Sequence, residues 1–235
     1  MTDRVFHADS YARQCDTVVT RSEPGIVELE RTVFYPTGGG QPGDRGVLIL
    51  EDGSRLTVID TIKGEGEAIV HRIADDAPVP APGTRLQAEI DWERRHTLMR
   101  YHTCLHLLCA VVDAPVTGGR MAEDKAHLDF DIDMEKLVAA DIEAALNALI
   151  ARDQPVETGA ISDAELDANP GLVKTMSVQP PRGQGSVRTI RVGDIDYQPC
   201  GGTHLRRTGE IGAASVVRIR SEGKRNKRVT IVLGD

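Results

Sequence analysis

Two pairs of residues of metal-ligating type stand almost a hundred positions apart, and both pairs have the same internal spacing. His102 and His106 lie four apart in YHTCLHLL, residues 101–108, and Cys200 and His204 lie four apart in QPCGGTHLR, residues 198–206. Residues four apart on a helix share a face, so both imidazoles of the first pair can reach one ion. In the second pair, two intervening glycines let the backbone turn tightly between the ligands. Three imidazoles and a thiolate suit tetrahedral Zn²⁺. One such pair is a weak signal, whereas two matched pairs amount to a metal-site signature. A zinc-protease helix is a poor alternative, because that motif needs Glu directly after the first His and Thr103 stands there.

The rest of the chain supplies no competing chemistry. Cys104 and Cys109 do not share the face of the histidine pair and read as small buried residues. The four cysteines have no disulfide-like spacing, which suits free thiols or metal ligands in a reducing compartment. His7, His71, His96 and His127 have no partner spacing and read as structural. No Ser-His-Asp set or isolated carboxylate pair is visible.

Upstream of the first pair the chain reads as β. TVVTRSEPGIVELERTVFYP and GVLILEDGSRLTVIDTI are β-branched and alternating, punctuated by the hairpin signals EPG and EDGS. ADDAPVPAPGTR, residues 74–85, is too stiff and donor-poor for an element interior. Residues 1–91 are therefore expected to form a small β-barrel or strongly twisted sheet. From Trp92 the apolar period shifts toward 3.6 and predicts a helix that stops at DAPV. HLDFDI alternates as a strand. MEKLVAADIEAALNALIARD predicts a long helix with Asp133 as its N-cap, and SDAEL carries a capping box from Ser162 to Glu165. SVRTIRVG and IDYQPC follow as strands, then a hairpin, ASVVRIR and RVTIVLG, joined by the basic turn SEGKRNK. Residues 92–235 thus read as an α+β domain, and the chain as α+β overall.

Charge and composition narrow the partners. Hydrophobic residues at 40% and charged residues at 27% are ordinary for a soluble globular chain, and aromatics at 3% imply an aliphatic core. No apolar run approaches the roughly 20 residues that span a bilayer, and the first residues lack the apolar segment of a signal peptide. A cytoplasmic protein with no membrane partner is expected. The net charge of −8 hides an asymmetry. Residues 182–228 hold eleven Lys and Arg against four acidic residues, while the remainder holds seventeen against thirty-two. Such a basic quarter can direct a phosphate-bearing partner to one face, or be no more than a solvated hairpin.

These motifs together resemble those of a known family. RYHTCLHLL followed by DYQPCGGTHLRRTGEIG resembles the editing domains of alanyl-tRNA synthetase and their free-standing relatives, the AlaX alanyl-tRNA editing proteins. Threonyl-tRNA synthetase carries a related domain with a similar ligand arrangement. RTVFYPTGGGQPGDRG, residues 31–46, resembles the glycine-rich segment that precedes the editing domain in the alanyl branch. The resemblance runs from about Val5 to the C-terminus and leaves no room for an aminoacylation domain, as in free-standing forms of intermediate length. Two departures stand out. Many synthetase editing domains carry Thr beside the second helix histidine, where this chain has Leu105, and their later glutamine falls by spacing at Ala122.

The resemblance implies a zinc-containing editing domain after the β-barrel, with Zn²⁺ held by His102, His106, Cys200 and His204. It implies hydrolysis of the ester joining serine, and also glycine, to tRNA(Ala), read at the acceptor end by a monomer. Polar substrate contacts then fall to the loop Thr37, Gly38, Gly39, Gly40 and Gln41 and to Thr103, Thr117 and Thr203. Arg206, Arg207, Arg218, Arg220, Lys224, Arg225, Lys227 and Arg228 are candidates for the acceptor-stem phosphates. Four protein ligands look like a closed site, so either Cys200 or His204 gives way to substrate or the ion orients substrate and loop. Two alternatives stay open: a threonyl-type factor acting on Ser-tRNA(Thr), and a non-catalytic zinc-stabilised RNA-binding module.

Overall fold

The computed structural model describes residues 2–176 and 185–234. These residues form two compact units, Met1–Thr97 and Leu98–Asp235.

The first unit is built from nine strands and one helical turn: β1 (Asp3–Arg4), α1 (Val5–Ala8), β2 (Gln14–Glu23), β3 (Ile26–Leu29), β4 (Arg31–Thr32), β5 (Gly46–Leu50), β6 (Arg55–Val58), β7 (Asp60–Lys63), β8 (Ile69–Arg72) and β9 (Arg85–Ile90). Seven of the strands make one antiparallel sheet in the order β6-β5-β9-β2-β3-β8-β7, while β1 and β4 form a short parallel pair. Alternation sets the inward face: Val27 and Leu29 on β3, Leu56 and Val58 on β6, and Leu86, Ala88 and Ile90 on β9 are buried in one core with Val19 and Leu48. As the composition requires, that core is almost wholly aliphatic, with Phe34 its one fully buried aromatic ring.

Two polar anchors lie inside this unit. Arg95 and Asp44 are buried and paired, with Arg95 Nε 3.1 and 3.0 Å from the two carboxylate oxygens. The guanidinium also donates to the carbonyls of Ser10 and Val33, and the carboxylate accepts the Tyr35 amide at 2.6 Å. His71 is the second anchor. Its Nδ1–H donates to the Val27 carbonyl at 3.0 Å, leaving Nε2 to accept the Thr32 hydroxyl at 2.8 Å. Thr32 Oγ1 in turn accepts the Phe34 amide.

The glycine-rich stretch is explained locally. Gly38 and Gln41 exchange backbone hydrogen bonds around Gly39 and Gly40, which have φ of 56° and 81°. Positive φ at both central residues is what a type I′ turn demands, and glycine meets it without steric cost. Gly43 serves a different purpose, because a Cβ there would lie 2.0 Å from the Thr61 carbonyl oxygen.

In the second unit, helix α2 (Trp92–Val112) leads from its start in the first unit to β10 (Val116–Met121) and β11 (Ala126–Asp131). There follow α3 (Ala139–Ala151), β12 (Val156–Ile161), α4 (Asp163–Ala168), β13 (Val187–Val192), β14 (Asp196–Pro199), β15 (Ala214–Ser221) and β16 (Asn226–Leu233). The strands form two antiparallel sheets, β10-β11-β16-β15 and β12-β13-β14. The α4 capping box is present as the sequence predicts. The long helix begins later than its pattern suggests. Met134–Lys136 form a separate 3-10 turn after Asp133, whose side chain makes no cap, and Leu137 and Val138 are extended. Met134 and Val138 are exposed, so no buried face holds that stretch helical. From Ala139 on, Ile142, Leu146 and Ile150 give the helix a buried stripe.

His71 makes stability depend on pH. Burial outweighs its carbonyl contact and lowers its pKa to about 4, against 6.5 for an exposed imidazole. Between these values the unfolded chain binds a proton that the folded chain refuses, so stability is full above about 6.5 and is lost as pH falls toward 4. Urea midpoints at pH 7 and 4.5 should show wild type losing on the order of 2–3 kcal/mol more than His71→Gln, which has no ionisable ring. Equal losses would remove His71 as the source.

Candidate metal centre

Helix α2 starts with a capped end. Asp91 accepts the Arg94 amide through its side chain, and the Arg95 amide through its carbonyl. The helix stops at Asp113, which takes a φ of 47° while its amide still reaches the Cys109 carbonyl. From Tyr101 to Cys109 every residue is buried, so this stretch is packed all round and its apolar period is blurred. His102 and His106 project from it one turn apart.

Cys200 and His204 come from the loop that follows β14. Their donor atoms and those of His102 and His106 all lie within 4.8 Å of one another. Cys200 Sγ is 3.5 Å from His102 Nε2 and 3.3 Å from His204 Nε2. Among the described residues, this is the one group of three or more His, Cys, Asp or Glu side chains close enough to share an ion. Neither Gly201 nor Gly202 has a positive φ, so the loop does not need glycine for its backbone conformation.

Outer partners fix which imidazole nitrogen faces the cluster. Asp196 Oδ2 accepts His106 Nδ1–H at 2.7 Å, which directs Nε2 inward. The same carboxylate takes the Gln198 amide at 2.8 Å and Lys174 Nζ at 2.7 Å. Thr103 Oγ1 lies 3.3 Å from His204 Nδ1 and accepts the Leu205 amide at 3.2 Å. The Thr103 hydroxyl oxygen can thus receive His204 Nδ1–H and leave Nε2 to the cluster. Histidine ligands are normally held in this way, by an acceptor on the nitrogen that does not bind the ion.

The charge states follow from that packing. Burial opposes the imidazolium of His106, but hydrogen bonds to Asp196 and Cys200 outweigh it and raise its pKa to about 9. His204 moves the other way, to about 3, through burial and the nearby charge of His102. Burial also raises the Cys200 thiol, yet His102 and His204 more than offset it and hold the thiol well below its ordinary value. At Cys104 and Cys109 burial outweighs Arg100 near the first and Lys174 and Gln198 near the second, so both are pushed up to about 12 and stay inert thiols. A thiolate beside three histidine rings, two of them held from behind, is a donor set that fits a divalent ion of the zinc type, which would take the place of the proton on His106 Nε2.

The other residues singled out in the sequence are dispersed. Thr37, Gly38, Gly39, Gly40 and Gln41 belong to the first unit, where Thr37 is exposed and its Oγ1 accepts the Gly43 amide at 2.8 Å. Thr103 and Thr203 are fully buried beside the ligands. Much of the hairpin charge is already matched: Arg228 pairs with Asp129, Arg225 with Asp131, Arg220 with Glu222 and, nearby, Arg207 with Asp153. Lys227 is buried and donates to the carbonyls of Gly223 and Lys224, closing the turn. Asp196, Gln198 and Lys174 carry no motif in the sequence that marks them as functional. Positions 196, 198 and 200 alternate on and just beyond β14, so strand period is the signal that links them to Cys200.

A family profile described as the threonyl and alanyl tRNA synthetase second additional domain matches residues 187–230, and one described as tRNA synthetases class II (A) matches residues 4–94. The chain is similar to the alanyl-tRNA editing protein AlaX-M of Methanosarcina acetivorans, 32% identical over 249 residues with 100% of both chains covered. It is similar at 32% over 233 residues to the AlaX-M protein of Saccharolobus solfataricus, covering 97% of this chain and 98% of the relative. Alanine--tRNA ligase of Metallosphaera sedula is 31% identical over 242 residues, which take in 100% of this chain and 26% of the ligase.

Elemental analysis of protein purified without chelator should find one zinc per chain, and His106→Ala and Cys200→Ala should each lose it. Asp196→Asn keeps shape but removes the anionic acceptor behind His106. Competition against a chromophoric chelator should show its metal affinity reduced by roughly 10- to 100-fold, the usual cost of losing such a partner. Unchanged affinity would mean that Asp196 serves Lys174 and Gln198 alone.

Proposed function

Because the chain belongs to the family of alanyl-tRNA editing proteins, we propose that it hydrolyses the ester of mischarged tRNA(Ala), chiefly Ser-tRNA(Ala) and also Gly-tRNA(Ala), in trans. The observation that carries this reading is the four-donor cluster of His102, His106, Cys200 and His204, set in a chain similar over its whole length to proteins of that name. A deacylase of this kind is needed because a synthetic site cannot strongly reject an amino acid that is smaller or adds one hydroxyl.

His102, His106, Cys200 and His204 would hold Zn²⁺, which when bound supplies positive charge to polarise the ester carbonyl. The chain's own side chains do the rest. Asp196 and Thr103 hold the rings of His106 and His204 from behind, so the donors are in place before substrate arrives. Thr103 is better suited to that role than to touching substrate, since it is fully buried and already accepts the Leu205 amide. All four donors come from one chain, so the cluster needs no second copy to be complete, and a monomer is taken as the acting species. Among the described residues no helix is long and apolar enough to cross a membrane, and a charged tRNA as substrate supports a cytoplasmic reaction.

We divide the chain functionally into a β domain over 1–91 and a zinc-containing editing domain over 92–235. The seven-stranded sheet is read as a small β-barrel, supported by the single core that residues of β2, β3, β5, β6 and β9 share. The glycine-rich loop of that domain is assigned to the amino-acid end of the substrate. Thr37 Oγ1 uses one lone pair on the Gly43 amide and keeps its proton to donate. Phosphate contacts are assigned first to Arg218 and Lys224, which are exposed on the hairpin, ahead of Arg206, Arg207, Arg220, Arg225, Lys227 and Arg228.

Deacylation of Ser-tRNA(Ala), Ser-tRNA(Thr) and Ala-tRNA(Ala) by the purified chain is the deciding assay. Fast turnover of the first alone is expected. Preference for Ser-tRNA(Thr) would make it a threonyl-type factor, and binding without turnover an RNA-binding module. Thr37→Val should lower kcat/KM for Ser-tRNA(Ala) by roughly ten- to a hundredfold, as about 1–3 kcal/mol of lost pairing implies, and leave Gly-tRNA(Ala) nearly unchanged. Thr37→Ser, which keeps the hydroxyl, should stay close to wild type; equal losses on both substrates would assign Thr37 to loop structure. Replacing Arg218 and Lys224 together by Ala should reduce the salt slope of tRNA binding by about two, and an unchanged slope would clear that face of phosphate.

A further inference from the structure

The Cys200–His204 loop is held by a side chain outside the ligand set. Arg188, on the central strand β13, donates from Nη1 to the carbonyl of Cys200 at 2.7 Å and to the carbonyl of Gly202 at 2.9 Å. Its Nη2 lies 3.3 Å from Thr158 Oγ1 on β12, and its own carbonyl accepts the Cys200 amide at 3.1 Å. One residue therefore grips the first ligand by both its amide and its carbonyl, and grips the peptide two residues before the last ligand. The glycines leave this loop to be shaped from outside, because neither takes a left-handed conformation and a Cβ on Gly201 would meet nothing within 4 Å.

We propose that Arg188 is the positioning residue for the Cys200–His204 half of the metal centre. It fixes the loop before the ion arrives and so sets how tightly and how long the ion is held. This rests on the reading of the four donors as a metal site. A flexible loop would have to be ordered at the moment of binding, whereas a clamped loop has lost that freedom on folding. Only a planar fork can make these contacts together, because two carbonyls share one nitrogen while the neighbouring nitrogen reaches a second strand. An ammonium has no matching geometry. The β12-β13-β14 sheet anchors the fork at its base, since Arg188 lies opposite Ala160 in the β12–β13 register. Thr158 steadies the fork at its tip.

The test uses the full chain with Zn²⁺ and, as a spectroscopic probe, Co²⁺. Arg188→Met should release zinc to a chromophoric chelator about 10- to 100-fold faster than wild type, within the range for outer partners of metal ligands. Its Co²⁺ complex should show a weaker thiolate charge-transfer band, because Cys200 is no longer held in place. Arg188→Lys should recover little of either. Thr158→Val removes only the outer anchor and should speed release by roughly fivefold, the worth of one long, exposed hydrogen bond of about 1 kcal/mol. The urea midpoint of metal-free protein separates the explanations. Variants that lose stability yet keep wild-type release rates and an unchanged cobalt spectrum would overturn the proposal while leaving the metal site intact. A wild type that binds no ion would remove the metal reading and this inference together.

Discussion

The carboxylate of Asp196 is the point on which the second unit turns. It is fully enclosed and accepts from three side chains: His106 on α2, Lys174 ahead of β13, and Gln198 two residues along its own strand. A buried carboxylate is tolerated only when such partners replace water, and burial here is outweighed by His106 and Lys174 so that its pKa falls to about 2. Separate stretches of chain are thereby fixed to one atom group behind the cluster. The orientation of His106 is held by that polar knot, which turns Nε2 toward the other donors.

A second enclosed pair organises the first unit. Arg95 and Asp44 bind each other while also satisfying the Ser10 and Val33 carbonyls and the Tyr35 amide. Arg94, next to it, donates to the Gly43 carbonyl at 2.7 Å, so the end of the glycine-rich stretch is held by two successive arginines. Both lie in the first turn of α2, the helix that later carries His102 and His106. Breaking one member of such a buried pair is costly because the survivor keeps an uncompensated charge.

The four-donor cluster is legible in the sequence because local spacing and residue type suffice for it. Both pairs are four residues apart, and the structure brings all four donors together. The hairpin β15–β16 and the capping box of α4 are legible for the same reason, since each is written within a few residues. What the sequence hides depends on contacts distant along the chain. β10 contains VTGGRM, whose glycines disfavour a strand, and it forms by pairing with β11. β12 is exposed at four of its six positions and shows no alternation to read. The hairpin arginines look available for phosphate in the sequence because their acidic partners, Asp129 and Asp131, sit almost a hundred residues earlier. Asp133 fails as a helix cap because the stretch after it has no apolar face to bury.

The separation of the two ligand pairs has a consequence for biogenesis. His102 and His106 leave the ribosome about a hundred residues before Cys200 and His204, at synthesis rates of roughly 5–20 residues per second. For several seconds the nascent chain carries an apolar helix with two imidazoles and no thiolate. Asp196, which orients His106, is also still unmade. The first unit has all its strands by then and can fold, whereas the second exposes the stretch 98–109 that the finished protein buries almost completely. The four-donor cluster therefore assembles late, after closure of a long loop, and until then the apolar stretch is open to the aggregation that threatens incompletely folded chains.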